Sequence, residues 1–257
     1  MKIIDLFYAN KLVFSCEVFP PKDSDTSIIY NTIRALSIIK PDFVSVTYRS
    51  ESGTEEKTLK IASKIKNTFG MESLMHLTCI NSDKQLLYSI LEDIIGQNIE
   101  NILALRGDYP LIRDDVTKKS EFCYAEDLVN FISNRRGGFC IGVAGYPEKH
   151  PDSESITEDI KNLKKKINAG ADYIITQLFF DTDVFFRYLD LVRAAGINIP
   201  VSAGIMPITK AQMIKRVISL SNSRIPEKLD RILNKYDEKP KDMEKAGIEY
   251  AESQIEM

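Results

Sequence analysis

Three short runs carry side chains suited to chemistry. In SCEVFPP, Glu17 stands between Cys16 and Val18, with Phe19 and two prolines following. A carboxyl in so apolar a setting is disfavoured as the anion, which makes Glu17 a candidate general acid. The competing reading is a strand-edge glutamate turned to solvent or to a salt bridge. In LALRGDYP, Arg106 ends an apolar run, Gly107 permits a sharp turn and Asp108 follows at the rim. The guanidinium fork of Arg106 suits a phosphate. The Asp108 carboxylate suits a hydrogen bond from a heterocycle whose electronics it would tune. An ion pair that fixes the loop would use the same two residues. In ITQLFFD, the neutral amide of Gln177 precedes Leu178, Phe179 and Phe180, an arrangement suited equally to the edge of a flat heterocycle and to core packing.

The remaining reactive groups are sparse. His76 and His150 are the two imidazoles of the protein. His76 sits in an apolar run and reads as a core residue as readily as a ligand. His150, in YPEKHP, reads as a loop residue facing solvent. Neither has a carboxylate at a spacing that builds a nucleophile–base triad. Lys164, Lys165 and Lys166 follow Asn162 and form either a solvated helix face or a reach toward a phosphate. Cys16, Cys79, Cys123 and Cys140 lie far apart with no CxxC pair, so neither a zinc site nor a disulfide framework is expected.

These residues need a scaffold, and the sequence supplies a regular beat. Strand-like runs at 12–19, 42–48, 73–79, 101–107, 139–146, 173–180 and 199–206 alternate with helical stretches at 26–39, 54–69, 82–96, 125–134, 155–169, 182–195 and 209–220. Thr54, and Ser82 with Asp83 after Asn81, are helix-start signals; Gly70, Gly96, Gly170 and Gly196 stand where helices should end. Seven such units predict a parallel sheet with helical crossovers, as in a doubly wound sheet or a (β/α)8 barrel. The number of units favours the barrel, and no strand is followed by a GxGxxG turn. The expectation is an α/β fold, a (β/α)8 TIM barrel, in a single domain over residues 1–257. Two further helices, over 226–236 and from about Lys241, follow the seventh unit, and an eighth strand is missing. The barrel is then incomplete, or shortened at its C-terminus, or closed by a partner that covers the gap.

Composition narrows the function classes. With 257 residues, 44% hydrophobic and 28% charged, the protein has enough apolar surface to bury a large core. A formal net charge of −3 with no basic aromatic-studded stripe predicts no nucleic-acid partner. The opening MKIIDLFYANKLVFS lacks the pattern of a secretory signal, and no apolar run reaches the roughly eighteen residues of a membrane span. A cytoplasmic protein with no membrane partner is expected.

In a (β/α)8 barrel the carboxyl ends of the strands converge on the active site. Those ends carry Glu17, Thr47, His76, Arg106 with Asp108, Tyr146 with His150, Gln177 and Gly204. Taken in order, FSCEVFPPK, PDFVSVTY, HLTCI, NILALRGDYP, YPEKHP, LKKKINAGADYIITQLFFD and AGIMPIT resemble the methylenetetrahydrofolate reductase family, from near the start to about residue 226. The resemblance implies an FAD-bearing barrel. Such an enzyme passes a hydride from NADH, NADPH or another donor, in a ping-pong cycle, to 5,10-methylenetetrahydrofolate, giving 5-methyltetrahydrofolate.

It further implies that Glu17 is the acid opening the folate's imidazolidine ring. Asp108 would lie near the flavin pyrimidine edge and hold the pterin, and Gln177 would touch both folate and nicotinamide. FAD would be held by Thr47, Tyr48, His76, Arg106, Gly107, Asp108, Tyr124, Ala125, Tyr146 and His150, with Asp159, Asn162, Lys165 and Lys166 on the ribose and diphosphate side. Two departures stand out. The family's phenylalanine after the GI(L/M)P turn is here Ala211 or Gln212, and its eighth strand, roughly HFYTLN, is absent. The alternative function is therefore a partner-dependent or inactive flavin-binding subunit, and a protein partner or homo-oligomer is left open.

Overall fold

The computed structural model describes residues 1–9, 12–21, 26–48, 54–80, 82–108, 121–135, 137–221 and 223–257. Asn81, and Tyr109 and Pro110 of the LRGDYP run, lie outside them. The elements run α1 (Ile3–Ala9), β1 (Ser15–Val18), α2 (Ser27–Ile39), β2 (Phe43–Val46), α3 (Thr54–Asn67), β3 (Glu72–Thr78), α4 (Lys84–Gly96), β4 (Asn101–Leu105) and α5 (Ala125–Ser133). They continue with β5 (Cys140–Gly145), α6 (Ile156–Asn168), β6 (Tyr173–Thr176), α7 (Thr182–Ala194), β7 (Val201–Ser202), α8 (Ala211–Ser221), α9 (Glu227–Tyr236) and α10 (Pro240–Ile255). The strands follow sequence order in one sheet, β1 to β7. The registers β1–β2, β2–β3, β3–β4, β4–β5 and β6–β7 are parallel. This is the α/β barrel-type plan expected, with seven strands among the described residues and three helices after β7.

Two compact units are distinguished, Met1–Val143 with Lys165–Tyr173, and Ala144–Lys164 with Ile174–Met257. In the first, β2 is buried at all four positions and β3 at six of seven. Parallel strands covered on both faces lose the in–out alternation of a half-exposed strand. At the amino ends of β3 and β4 a polar cluster closes the sheet: Lys66 Nζ donates to Glu72 at 2.6 Å, and Asn101 Oδ1 accepts from the Ile3 amide at 2.8 Å. The helix α1, absent from the sequence reading, thus brings Ile3 into full burial there.

In the second unit, Phe180, Ile208, Leu229, Leu233 and Met243 pack in one cluster with Tyr250, joining α9 and α10 to the loops that follow β6 and β7. The strands expected over 173–180 and 199–206 shorten to four and two residues. Phe179 and Phe180 are buried, but their carbonyls are taken by side chains rather than by a neighbouring strand.

The start and stop signals hold with one shift. Asp83 caps α4 through the Leu86 amide at 2.8 Å. Gly70, Gly170 and Gly196 adopt φ of +69°, +120° and +76°. Gly96 instead stays helical as the last residue of α4, and Asn98 takes the left-handed position at φ +61°, a conformation that Asn tolerates better than most residues. Among the described residues no helix is long and apolar enough to cross a membrane, and no cluster of three or more His, Cys, Asp or Glu could hold a metal ion.

Candidate functional site

The first unit presents its chemical groups at the carboxyl ends of successive strands. Glu17 projects from β1 and is exposed, not enclosed by its apolar neighbours: Phe19 is 57% exposed and Cys16 only half-buried. The apolar run in the sequence therefore does not translate into an apolar cradle, because neighbours along a strand point to the opposite face. The Glu17 carboxylate instead accepts a hydrogen bond from Thr47 Oγ1 at 2.5 Å. The Thr47 amide donates to Val18 O at 3.0 Å, extending the β1–β2 ladder by one step. Tyr48, next in the sequence, is half-buried.

His76, within β3, is fully buried, and burial pushes its imidazole below the ordinary value, with the Glu17 carboxylate acting weakly in the opposite direction. Its Nε2 has no hydrogen-bond partner among the described residues. Buried polar atoms are rarely left unpaired. An imidazole in this state, beside a hydroxyl–carboxylate pair, fits a site that takes a polar ligand.

Beyond β4 the ladder continues. The amides of Cys79 and Ile80 donate to Arg106 O at 3.2 and 2.9 Å, fixing the peptide from which Gly107 turns. Gly107 has φ +88°, and a Cβ there would lie 2.8 Å from Ile80 Cγ2 and 3.0 Å from the Thr78 Cβ. Both the conformation and the space demand glycine. The turn delivers Asp108 to an exposed position, and Arg106 Nε donates to Gly107 O at 3.2 Å.

Tyr124 and Ala125 open α5. Asp127 Oδ2 accepts from the amides of Cys123 and Tyr124, both at 2.9 Å, leaving Tyr124 65% exposed. The Cys79 thiol lies 3.5 Å from Tyr124 O and 3.7 Å from Arg106 O; burial pushes it up to about 12. It is a protonated donor that ties the end of β3 to the start of α5. Sequence reasoning missed this role of Cys79 and that of Asp127. For Asp127 a signal existed, a carboxylate in the first turn three residues after the cap.

In the second unit the expected residues after β5 sit on a loop. Tyr146 and His150 follow β5 with rings edge-to-face, centroids 4.8 Å apart. The Asp159 carboxylate accepts from the His150 amide at 3.2 Å and from Ser153 Oγ at 3.1 Å. It therefore braces the loop. His150 Nδ1 accepts from the Asp152 amide at 3.0 Å, which assigns the proton of the neutral ring to Nε2. His150 is only partly exposed, more enclosed than a solvent-facing loop residue.

Lys149, at φ +65°, donates through Nζ to Ser153 O at 2.7 Å. Glu148, overlooked in the sequence, takes the Arg224 amide on both carboxylate oxygens at 2.9 and 3.1 Å, and burial pushes its carboxyl up. On α6, Asn162 and Lys166 follow Asp159 at helical spacings of three and seven on one face; Asn162 and Lys166 are half-buried and Lys165 is exposed. Gln177 leaves β6 with its amide donating to Gly145 O at 2.7 Å and its side-chain oxygen accepting from the Leu178 amide at 2.9 Å. Gly204 packs on the same strand end: its amide donates to Thr176 Oγ1 at 2.9 Å, and a Cβ would lie 2.4 Å from Thr176 O.

Comparison with known proteins adds an independent finding. The family model for methylenetetrahydrofolate reductase matches residues 2–257. Methylenetetrahydrofolate reductase (NADH) 1 of Arabidopsis thaliana is 38% identical over 267 residues, covering 98% of this chain and 45% of that protein. The 5,10-methylenetetrahydrofolate reductase of Escherichia coli is 36% identical over 244 residues, covering 95% of this chain and 80% of that one. The present sequence thus spans less than half of the plant relative and about four-fifths of the bacterial one. Among solved structures, a mutant tryptophan synthase alpha-subunit from Pyrococcus furiosus aligns over 95% of this chain and 98% of its own, with TM-score 0.52 and 9% identity. A putative lyase/mutase from Burkholderia cenocepacia aligns over 94% and 97%, with TM-score 0.51 and 12% identity. At such identities the likeness concerns the fold alone.

Proposed function

We propose, on the premise that this chain belongs to the methylenetetrahydrofolate reductase family, that it reduces 5,10-methylenetetrahydrofolate to 5-methyltetrahydrofolate with reduced nicotinamide as donor and FAD as cofactor. One observation carries the reading: the exposed Glu17 carboxylate, set by Thr47, stands beside a buried His76 imidazole whose Nε2 is unsatisfied among the described residues. That pairing of a proton-transfer group with a stranded ligand-binding atom fits a flavin site better than a structural barrel end.

When bound, FAD supplies the acceptor that takes a hydride from one substrate and gives it to the other. The protein's own residues do the rest. Thr47, Tyr48, His76, Arg106, Gly107, Tyr124 and Ala125 in the first unit would hold it. Arg106 brings a fixed positive fork and the turn at Gly107 a close approach of backbone. By the family resemblance Tyr146, His150, Asp159 and Asn162 are assigned the same duty. Lys165 and Lys166, further along α6, would offer charge to a phosphate. Asp159 would act largely through the His150 loop that it braces. Asp108 would accept a hydrogen bond from the heterocycle edge. Glu17 would deliver a proton to the folate nitrogen that departs as the imidazolidine ring opens, and Thr47 keeps its carboxyl oriented. Gln177, with its oxygen held by Leu178, would recognise substrate through the amide NH2. The reading includes a single functional domain over 1–257 and a cytoplasmic setting.

Anaerobic stopped-flow on the purified protein tests it. NADH should bleach the visible flavin band and methylenetetrahydrofolate should restore it. A flavin that NADH bleaches and the folate cannot restore would favour a barrel that needs a partner for turnover. A protein that binds no flavin would refute the proposal.

A further inference from the structure

The segment that carries Gln177 out of β6 is held in an unusual way. Three consecutive carbonyls, those of Leu178, Phe179 and Phe180, are each taken by a different side chain from the last third of the sequence. Ser223 Oγ donates to Leu178 O at 2.9 Å, Gln254 Nε2 to Phe179 O at 3.1 Å, and Tyr250 Oη to Phe180 O at 2.6 Å. Carbonyls leaving a sheet edge must find donors somewhere, and little surface is left for water: Phe179 and Phe180 are each 1% exposed, Leu178 is half-buried, and the three donors lie at 3–9%.

Tyr250 and Gln254 stand one turn apart on the same face of α10. That face is pressed home at Gly247, where an added Cβ would lie 1.9 Å from Ile208 O. Gln254 makes its bond while its own Oε1 stays buried without a partner among the described residues. Burial also raises the Tyr250 phenol, keeping it a donor.

We infer that Ser223, Tyr250 and Gln254 are positioning residues that set the Gln177–Phe180 segment, and so tune substrate recognition by Gln177 without touching substrate. The inference rests on the role given to Gln177 above. The bonds act in series along one short stretch of backbone. Releasing any of them lets the segment move at the point where the Gln177 oxygen is pinned to the Leu178 amide.

A double-mutant cycle on the flavin-loaded enzyme tests this, with Gln177→Ala, Tyr250→Phe and their combination. KM for methylenetetrahydrofolate and the rates of both half-reactions are measured per bound flavin. Tyr250→Phe should raise KM for the folate roughly fivefold, the scale of one lost buried hydrogen bond, with little change in flavin content. In the Gln177→Ala background the same change should have almost no further effect, because residues that act through one another are not additive. An additive effect, or a Tyr250→Phe enzyme with unchanged KM, would overturn the positioning role while leaving Gln177 in place. A Gln177→Ala enzyme with both half-reactions intact would instead remove the role of Gln177, and the inference with it. Should Tyr250→Phe fail to fold, Gln254→Met, which removes the donor to Phe179 O and the stranded oxygen together, carries the same cycle.

Discussion

The two compact units hold their chemical groups by different means. In the first, β1 to β4 have four, four, seven and five residues, β2 to β4 largely buried, and their parallel ladders extend past the strand ends, through the Thr47 amide to Val18 O and the Cys79 and Ile80 amides to Arg106 O. The backbone itself fixes Glu17, Thr47 and Asp108, and the side chains hang from it. In the second, β6 and β7 have four and two residues, and side chains do the holding: Asp159 and Lys149 for the His150 loop, Glu148 for residue 224, and Ser223, Gln254 and Tyr250 for the Gln177 segment. A ladder resists single substitutions because its bonds belong to every residue. A set of side-chain braces puts the same task on a few residues, each replaceable by mutation.

Because Glu17 hangs from a self-supporting ladder, Glu17→Gln should leave folding and flavin reduction by NADH intact while slowing flavin reoxidation by the folate about 10²- to 10⁴-fold. Stopped-flow of the two half-reactions decides it, and equal loss in both would refute the acid role.

The second unit should fail structurally instead. Gly247→Ala has no room beside the Ile208 backbone and should cost about 3 kcal/mol in urea denaturation. A variant as stable as its parent would show that α10 is not seated as tightly as the contact requires.

The smallest effect concerns pH. His76 in the folded protein titrates below its ordinary 6.5 because it is buried, so on acidification the unfolded state takes the proton first. Above about 6.5 the ring is neutral in both states and makes no pH-dependent contribution. Stability is lost as pH falls from about 6.5 toward the lower folded value, at no more than about 1.4 kcal/mol per pH unit. Urea midpoints at about pH 5 and about pH 8 should converge for His76→Gln relative to the parent. An unchanged difference would mean that another group dominates the acid limb.

Much of the first unit is legible in the sequence. The apolar runs at 42–48, 73–79 and 101–107 are recognisable because parallel strands buried on both faces leave no polar alternation, and the turn at Gly107 announces itself by residue type. Glu17 shows the limit. Its neighbours in the sequence are apolar, yet it is exposed, because strand geometry sends adjacent side chains to opposite faces. The helix α1 has no periodic run long enough to declare itself, and the exchange of Gly96 for Asn98 turns on two residues of helix length.

In the second unit, the order of elements and the existence of α9 and α10 could be read from helical periodicity. The end of β6 could not: ITQLFFD continues the pattern of a strand, and only the arrival of Ser223, Tyr250 and Gln254, from 45, 70 and 75 residues away, takes its carbonyls out of the ladder. By itself the sequence determined the alternation of strands and helices, the glycine at the Arg106–Asp108 turn and the residue types of the site, since these follow from local periodicity and backbone sterics. Which of those residues are buried, which oxygens are already engaged, and what fixes Gln177 were decided by tertiary structure, because hydrogen-bond donors from distant segments become neighbours only when the protein has folded.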